Sequence, residues 1–404
     1  MSVYRDREQT QAKHIILRKY LQTLAFKLLH GGHPTLTYVD GFSGPWESQT
    51  ADYSDTSFMI AINVLKDVQK QMLAQGKRKV IRCFFVEEKA SSYSKLEEIV
   101  MKHHDPANDF YVQTFHGRFE DAVDEIMKVV GMSFALTFID PTGWTGYEFD
   151  KISRIMKHKP GEVLLNYMFD FINRFTAWDN PKIAASFDGI LGKDWKARIE
   201  ASPLARDEAV QTIFAEEFKK AGNFTYVLST PIEKLADRTH FCIVYGSRNV
   251  KGLEAYREVE YSAMKEHGMR RLEAKQALQE EKSGQTSMFA VSALHTVPPI
   301  DHQVAEYRKQ AKVWLQDELK ENARAFPFSQ VWPPMLETFM LRRTDARKVC
   351  AELGKDGIIA ETWKAGGSKR KTPDETDMIG LVETVIAPQI ASVASQAADP
   401  ETLV

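Results

Sequence analysis

The chain has 404 residues, enough for two or three domains. Its 43% hydrophobic and 27% charged residues exclude wholesale disorder. A formal net charge of −2 gives no global attraction to nucleic acid, so any basic site has to be local.

Residues 7–29 place Ile15, Ile16, Tyr20, Leu21, Leu24 and Leu28 at helical spacing, and Gly31-Gly32 end the helix. Lys13-His14 lies near its start, with His14 read as structural. Residues 35–39 predict a buried parallel strand that ends at Asp40 and breaks at once into Gly41-Phe42-Ser43-Gly44-Pro45-Trp46. Two glycines three apart after an acidic strand end describe a turn where backbone approaches a ligand. An ordinary strand-to-loop turn has the same composition. A helix over 57–74 leads to a second strand over 79–86, closed by Glu87-Glu88. An acid there suits the two hydroxyls of a ribose, or alternatively caps the next helix.

A helix over 93–102, a strand over 109–115 with the turn Gly117-Arg118-Phe119, and a helix over 122–129 follow. The fourth strand, 133–139, ends in Asp140-Pro141-Thr142-Gly143-Trp144, and the fifth, 162–166, ends in Asn166. Strands alternating with helices predict an α/β fold with a parallel sheet and its site along the carboxyl edge. Residues 175–222 read as a helical insertion. Two late strands, 223–229 and 239–245, form the antiparallel pair that a Rossmann-like class I methyltransferase sheet carries in place of a sixth parallel strand.

We place this domain at 1–265, a charged helix and linker at 266–299, a winged-helix-like domain at 300–372 and an acidic, disordered tail at 373–404. The second domain is expected to hold a helix over 301–325, a helix over 329–340 broken at Pro333-Pro334, and a helix over 344–353 capped by Thr344. A strand over 358–363 and a flexible tip over 365–371 complete it. The window 341–371 has nine basic residues against four acidic ones, a local balance of +5. Arg342, Arg343, Arg347, Lys348, Lys369, Arg370 and Lys371 are the candidate contacts to a phosphate backbone. A solvated face of a protein-binding module is the alternative.

Cys83, Cys242 and Cys350 are far apart, without metal or disulfide spacing, and read as buried thiols of a cytoplasmic protein. The first residues have no apolar signal core and no run approaches about 18 apolar residues, so neither secretion nor a membrane span is expected. The strand ends Asp40, Gly41, Phe42, Gly44, Pro45, Glu87, Glu88, Arg118 and Phe119 would surround an adenosine-type ligand. Asp140, Trp144 and Asn166 are the catalytic candidates. Methyl transfer needs an in-line nucleophile and a place for its proton rather than covalent help. Asp140-Pro141 occupies the position of the Asp/Asn-Pro-Pro-aromatic motif of amino methyltransferases, but lacks the second proline. Metal hydrolysis by Asp40, Glu87 and Asp140 is a weaker reading, since no His joins the acids, and no metal is expected.

The ordered motifs resemble the three-Cys-motif partner family (TcmP). They comprise Lys13-His14 with Tyr20-Leu21, the turn from Tyr38 to Pro45, Asp55 to Ala61, Phe85-Val86-Glu87, Phe138 to Trp144, and Leu164-Leu165-Asn166 through Asn173-Arg174-Phe175. The resemblance implies a fold similar to class I S-adenosylmethionine-dependent methyltransferases, S-adenosylmethionine as cofactor, and a bacterial radical-SAM-like protein with three cysteines as partner. DNA or RNA as the substrate is suggested instead by the Asp140-Pro141 motif and the basic window of the second domain. A non-catalytic partner that recruits DNA or protein through its second domain is the other role compatible with the resemblance. Trp46 departs from the family, where many relatives have a further glycine, and would crowd the cofactor's carboxylate end.

Overall fold

The computed structural model describes residues 8–44, 48–178, 180–234, 238–283 and 299–384, with the side chains of residues 8–9 and 278–283 outside the description. The chain divides into two compact units, 1–286 and 287–404. Among the described residues, no helix is long and apolar enough to cross a membrane.

The first unit opens with α1 (Glu8–His30) and β1 (Thr35–Asp40), then α2 (Ser57–Ala74), β2 (Val80–Glu87), α3 (Ala90–Met101), β3 (Phe110–His116), α4 (Val123–Val130) and β4 (Phe134–Ile139). It continues through α5 (Phe149–Met156), β5 (Gly161–Tyr167), α6 (Phe169–Thr176), α7 (Pro181–Ser186), α8 (Asp188–Leu191), α9 (Trp195–Ala201) and α10 (Arg206–Gly222). The pair β6 (Tyr226–Glu233) and β7 (Thr239–Ser247) and the long helix α11 (Val250–Ser283) complete it.

The seven strands form one sheet in the order β3-β2-β1-β4-β5-β7-β6. β1 to β5 are parallel and β7 alone runs against both its neighbours. β1 is central, with Leu36, Tyr38 and Val39 fully buried, as expected of a parallel strand covered on both faces. This order, with one reversed strand, is the methyltransferase-like sheet expected from the late strand pair.

Three details differ from the sequence reading. α5 was not anticipated; its Phe149, Ile152, Ile155 and Met156 bury one face of a helix only eight residues long. β6 starts at Tyr226, three residues later than expected, because Asn223 adopts a left-handed conformation that ends α10. α11 begins at Val250 rather than 258 and packs along α1, where Lys19 reaches Glu266 at 3.3 Å and Ser262 at 3.0 Å. The expected linker at 283–299 lies almost wholly outside the described residues.

The second unit contains α12 (Pro299–Asn322), β8 (Phe326–Pro327), α13 (Phe328–Thr338), α14 (Arg343–Lys355) and β9 (Met378–Ile379), with β8 and β9 antiparallel. α13 runs through Pro333-Pro334 without the expected break. The cap of α14 is Arg342, not Thr344, because Asp345 reaches back to accept the Arg342 backbone N–H at 3.2 Å. The strand expected over 358–363 is absent. Ile359 makes a single bridge to Leu381, and Thr362–Gly367 forms 3₁₀ turns that tuck Trp363 fully inside. The acidic segment expected to be a disordered tail folds as far as Thr384, with Ile379 fully buried.

Candidate functional site

Parallel strands deliver their C-terminal ends to one edge, and loops there can point polar groups into a shared crevice. Two adjoining clefts occupy that edge. The smaller, about 440 Å³, lies over the ends of β1 to β4. The larger, about 680 Å³, lies over β1, β4, β5 and the start of β7, beside α1 and α6. Both contain Phe42 and Thr142, so the clefts meet there. Both volumes fall in the range of about 300–1,000 Å³ usual for small-molecule sites.

Four of the thirteen residues that line the smaller cleft are glycines, Gly41, Gly117, Gly143 and Gly146. A Cβ on Gly41 would stand 2.8 Å from the Phe119 ring, while one on Gly143 would enter open space. Glu87, at the end of β2, reaches the cleft with one oxygen accepting the Lys89 N–H at 2.7 Å. Burial holds its carboxyl above the ordinary value, and that Lys89 bond opposes the shift. Glu88 and Arg118 also line the cleft; Arg118 pairs with Glu120 at 2.6 Å. Phe42 and Phe119 pack with ring centres 5.8 Å apart.

Asp40 departs from its expected role at the ligand. It lines neither cleft. Its fully buried carboxylate lies under the glycine turn, where it accepts from Ser57 Oγ at 2.8 Å and from the Phe42 N–H at 3.1 Å. Burial raises it to about 6, with the two hydrogen bonds opposing and nearby Asp140 adding. Asp40 therefore ties the turn to the start of α2. Gly44 lines the larger cleft; Pro45 and Trp46 lie outside the described residues.

In the larger cleft Asp140 is held at both oxygens. Lys13 Nζ on α1 lies 2.6 Å from Oδ2, and Asn166 Nδ2 donates to Oδ1 at 2.7 Å. The Asn166 orientation follows, since its carbonyl oxygen would repel the carboxylate. Its Oδ1 is buried and, among the described residues, has no hydrogen-bond partner. A buried acceptor in a cleft wall is costly unless something donates to it. His240, at the amino end of β7, and Phe171, on α6, also line this cleft.

Trp144 is a correction. It lines neither cleft. Its ring packs 4.7 Å from Phe175 and 5.2 Å from Phe187, and its Nε1 donates to Ser186 Oγ at 2.8 Å. Its bulk anchors the helical insertion. Sequence reasoning missed Lys13, Ser57 and His240 as members of the site. Lys13 and Ser57 had a signal, since both lie in motifs of the family resemblance, Lys13-His14 and Asp55 to Ala61; His240 had none.

The candidate nucleic-acid residues are mostly neutralised within the second unit. Arg343 pairs with Glu375, Arg347 with Asp374 at 3.0 Å, Arg342 with Asp345 at 2.8 Å and Arg370 with Asp377 at 2.7 Å. Adding the folded residues 372–384, with Asp374, Glu375, Asp377 and Glu383, to the window gives nine basic against eight acidic residues, +1 rather than +5. Lys348, Lys369 and Lys371 are exposed and have no ion-pair partner among the described residues. A metal cage of Asp40, Glu87 and Asp140 does not form either: no group of three His, Cys, Asp or Glu side chains converges among the described residues.

The order of its seven strands, with β7 reversed, makes the first unit an α/β domain with a methyltransferase-like sheet. No family model matches the chain, and no curated protein matches it. Among solved structures it is similar to the crystal structure of protein LPL1258 from Legionella pneumophila, at 12% identity and a TM-score of 0.33, over 58% of this chain and 85% of that one. It is also similar to a loganic acid methyltransferase solved with SAH, at 9% identity and a TM-score of 0.27, over 66% and 85% of the two chains. Both superpositions are loose.

Proposed function

We propose that the first unit binds S-adenosylmethionine and transfers its methyl group to an acceptor carrying an N–H or O–H. The observation that carries this reading is the meeting of the two clefts at Phe42 and Thr142, with glycine backbone on one side and the buried Asn166 Oδ1 on the other. The open space at Gly143, in a cleft that the rings of Phe42 and Phe119 also line, would admit a flat group such as adenine. Glu87 would accept from the ribose hydroxyls. When bound, the cofactor supplies an electrophilic methyl.

This chain's own residues would orient the acceptor. Asp140 polarises the Asn166 amide through its Nδ2, so Oδ1 becomes a better acceptor for the incoming N–H or O–H. With Lys13 and Asn166 on its two oxygens, Asp140 positions Asn166 rather than taking a proton. An anionic group, having no hydrogen to donate, would be repelled by Oδ1. The acceptor is proposed to be a nucleic acid or a substrate shared with the radical-SAM-like partner that the family resemblance implies.

Calorimetry with S-adenosylmethionine tests the reading. Saturable binding that weakens by tenfold or more in Glu87→Gln is expected, and no heat at millimolar ligand overturns it. A labelled-methyl assay on DNA, RNA and the partner protein then selects the acceptor.

A further inference from the structure

Methylating an N–H or O–H leaves one proton to be removed, and neither Asn166 nor Asp140 offers a base for it. An amide oxygen is too weakly basic, and both oxygens of Asp140 are engaged. The reversed strand supplies a candidate. Because β7 is antiparallel to β5, its amino-terminal end arrives at the carboxyl edge of the parallel strands. Asn166 pairs with Ile243 and Tyr167 with Cys242, which sets His240 just beyond the last paired residue of β5, in the wall of the larger cleft.

His240 has a partner of the kind that orients a base. Its Nδ1 lies 3.4 Å from Asp170 Oδ2 on α6, and that carboxylate is nearly buried. Arg238 reaches Asp170 at 2.7 Å and Lys234 at 3.4 Å, both from the connection between β6 and β7. A carboxylate so paired only accepts, so the neutral ring places its hydrogen on Nδ1 and keeps the lone pair on Nε2. Burial holds His240 below its ordinary value, with Lys234 and Lys13 adding to the shift and Asp170 opposing it. The ring is then uncharged at neutral pH and able to accept.

We propose that His240, positioned by Asp170, takes the acceptor's proton during methyl transfer. The inference rests on the methyltransferase reading and deepens it. As the acceptor's nitrogen or oxygen bonds to the methyl carbon, the carbon–sulfur bond breaks with its electron pair left on sulfur. The acceptor's proton moves to Nε2 of His240, and the imidazolium, paired with Asp170, returns it to water through the open cleft. The charged groups facing His240 are Asp170, Lys234 and Lys13, with Arg238 on the other oxygen of Asp170, and together with burial they set the protonation that switches the base off.

Nitrogen-15 histidine spectra of the full chain give the first test. The expected result is a neutral ring with its hydrogen on Nδ1 and a midpoint below that of an exposed histidine, with the Nδ1 preference lost in Asp170→Asn. A ring already protonated at neutral pH, or one carrying its hydrogen on Nε2, overturns the proposal. The second test is kinetic, with the acceptor selected by the labelled-methyl assay. His240→Ala should lower kcat by about 10²–10⁴-fold, leave S-adenosylmethionine affinity unchanged, and recover transfer on adding imidazole. Asp170→Asn should shift the acid limb of the pH profile. Full kcat in His240→Ala overturns this inference alone, whereas absent cofactor affinity in the unmodified chain overturns the reading beneath it.

Discussion

Lys13 and Asp140 lie 127 positions apart in the chain and 2.6 Å apart in space, in a partly buried ion pair between α1 and the end of β4. The pair fixes the helix preceding the sheet to the floor of the larger cleft and keeps Asp140 aimed at Asn166. Removing one member leaves the other charge in a poorly solvated place, at a cost of roughly 3 kcal/mol, while replacing both with neutral groups recovers much of it. Urea unfolding of Lys13→Met, Asp140→Asn and the double variant should show that coupling. If the two single effects simply add, the pair is a surface contact.

Gly41 gives a prediction about the smaller cleft. A methyl group there would stand 2.8 Å from the ring of Phe119, which is itself buried. Gly41→Ala should cost about 1–3 kcal/mol through overpacking and reduce S-adenosylmethionine affinity, because the displaced Phe119 ring lines the cleft. Adding Phe119→Leu should recover stability. Unaltered affinity in Gly41→Ala would show that the ligand sits elsewhere.

The strands were legible because buried parallel strands are continuous apolar runs and their polar ends stand out against them; their order in the sheet was not read from the sequence. Glu87 and Asn166 were legible for the same reason. Asp40 carried the same signal, yet its side chain turns under the loop to Ser57, a choice that depends on where α2 begins in space. Lys13 and His240 enter the site only because α1 folds back and β7 is reversed; the reversal was read from the late strand pair, but which residue of β7 it delivers to the cleft depends on its register with β5. The acidic residues 374–377 read as solvated because their partners Arg343 and Arg347 precede them by about thirty positions in the chain.

Trp144 separates packing from catalysis. Phe in its place keeps the stack on Phe175 and Phe187 but removes the hydrogen bond to Ser186. Trp144→Phe should therefore lose about 1 kcal/mol of stability and leave cofactor affinity as it is. A large loss of transfer at full stability would return Trp144 to the site.

Of the seven candidate basic residues in the second unit, three lysines are available to a phosphate backbone. DNA binding through Lys348, Lys369 and Lys371 should contribute roughly 0.9 to the slope of log affinity against log salt for each lysine. Replacing all three with Ala is expected to flatten the slope by about three times that amount. Neutralising Asp374, Glu375 and Asp377 should steepen it by freeing Arg343, Arg347 and Arg370. Fluorescence anisotropy across a salt series reads both, and a slope indifferent to either change assigns this face to protein contacts.

Asp40 and His267 act on stability with opposite signs over the same pH range. Burial lifts Asp40 from 3.8 to about 6, and burial depresses His267 from 6.5 to about 4, with Arg271 adding to the latter. As pH rises through this range, Asp40 loses its proton more readily in the unfolded chain, so its contribution to stability, full below 3.8, is lost by about 6. His267 does the reverse: its contribution is full above 6.5 and is lost as pH falls toward about 4. At 1.36 kcal/mol per unit each shift is worth roughly 3 kcal/mol, so the two nearly cancel in the unmodified chain. His267→Leu should expose the Asp40 dependence, with stability falling as pH is raised across the range. Asp40→Asn should expose the His267 dependence, with stability rising instead. Urea unfolding at a series of pH values measures both, and parallel profiles for the two variants would mean that neither group titrates as its burial requires.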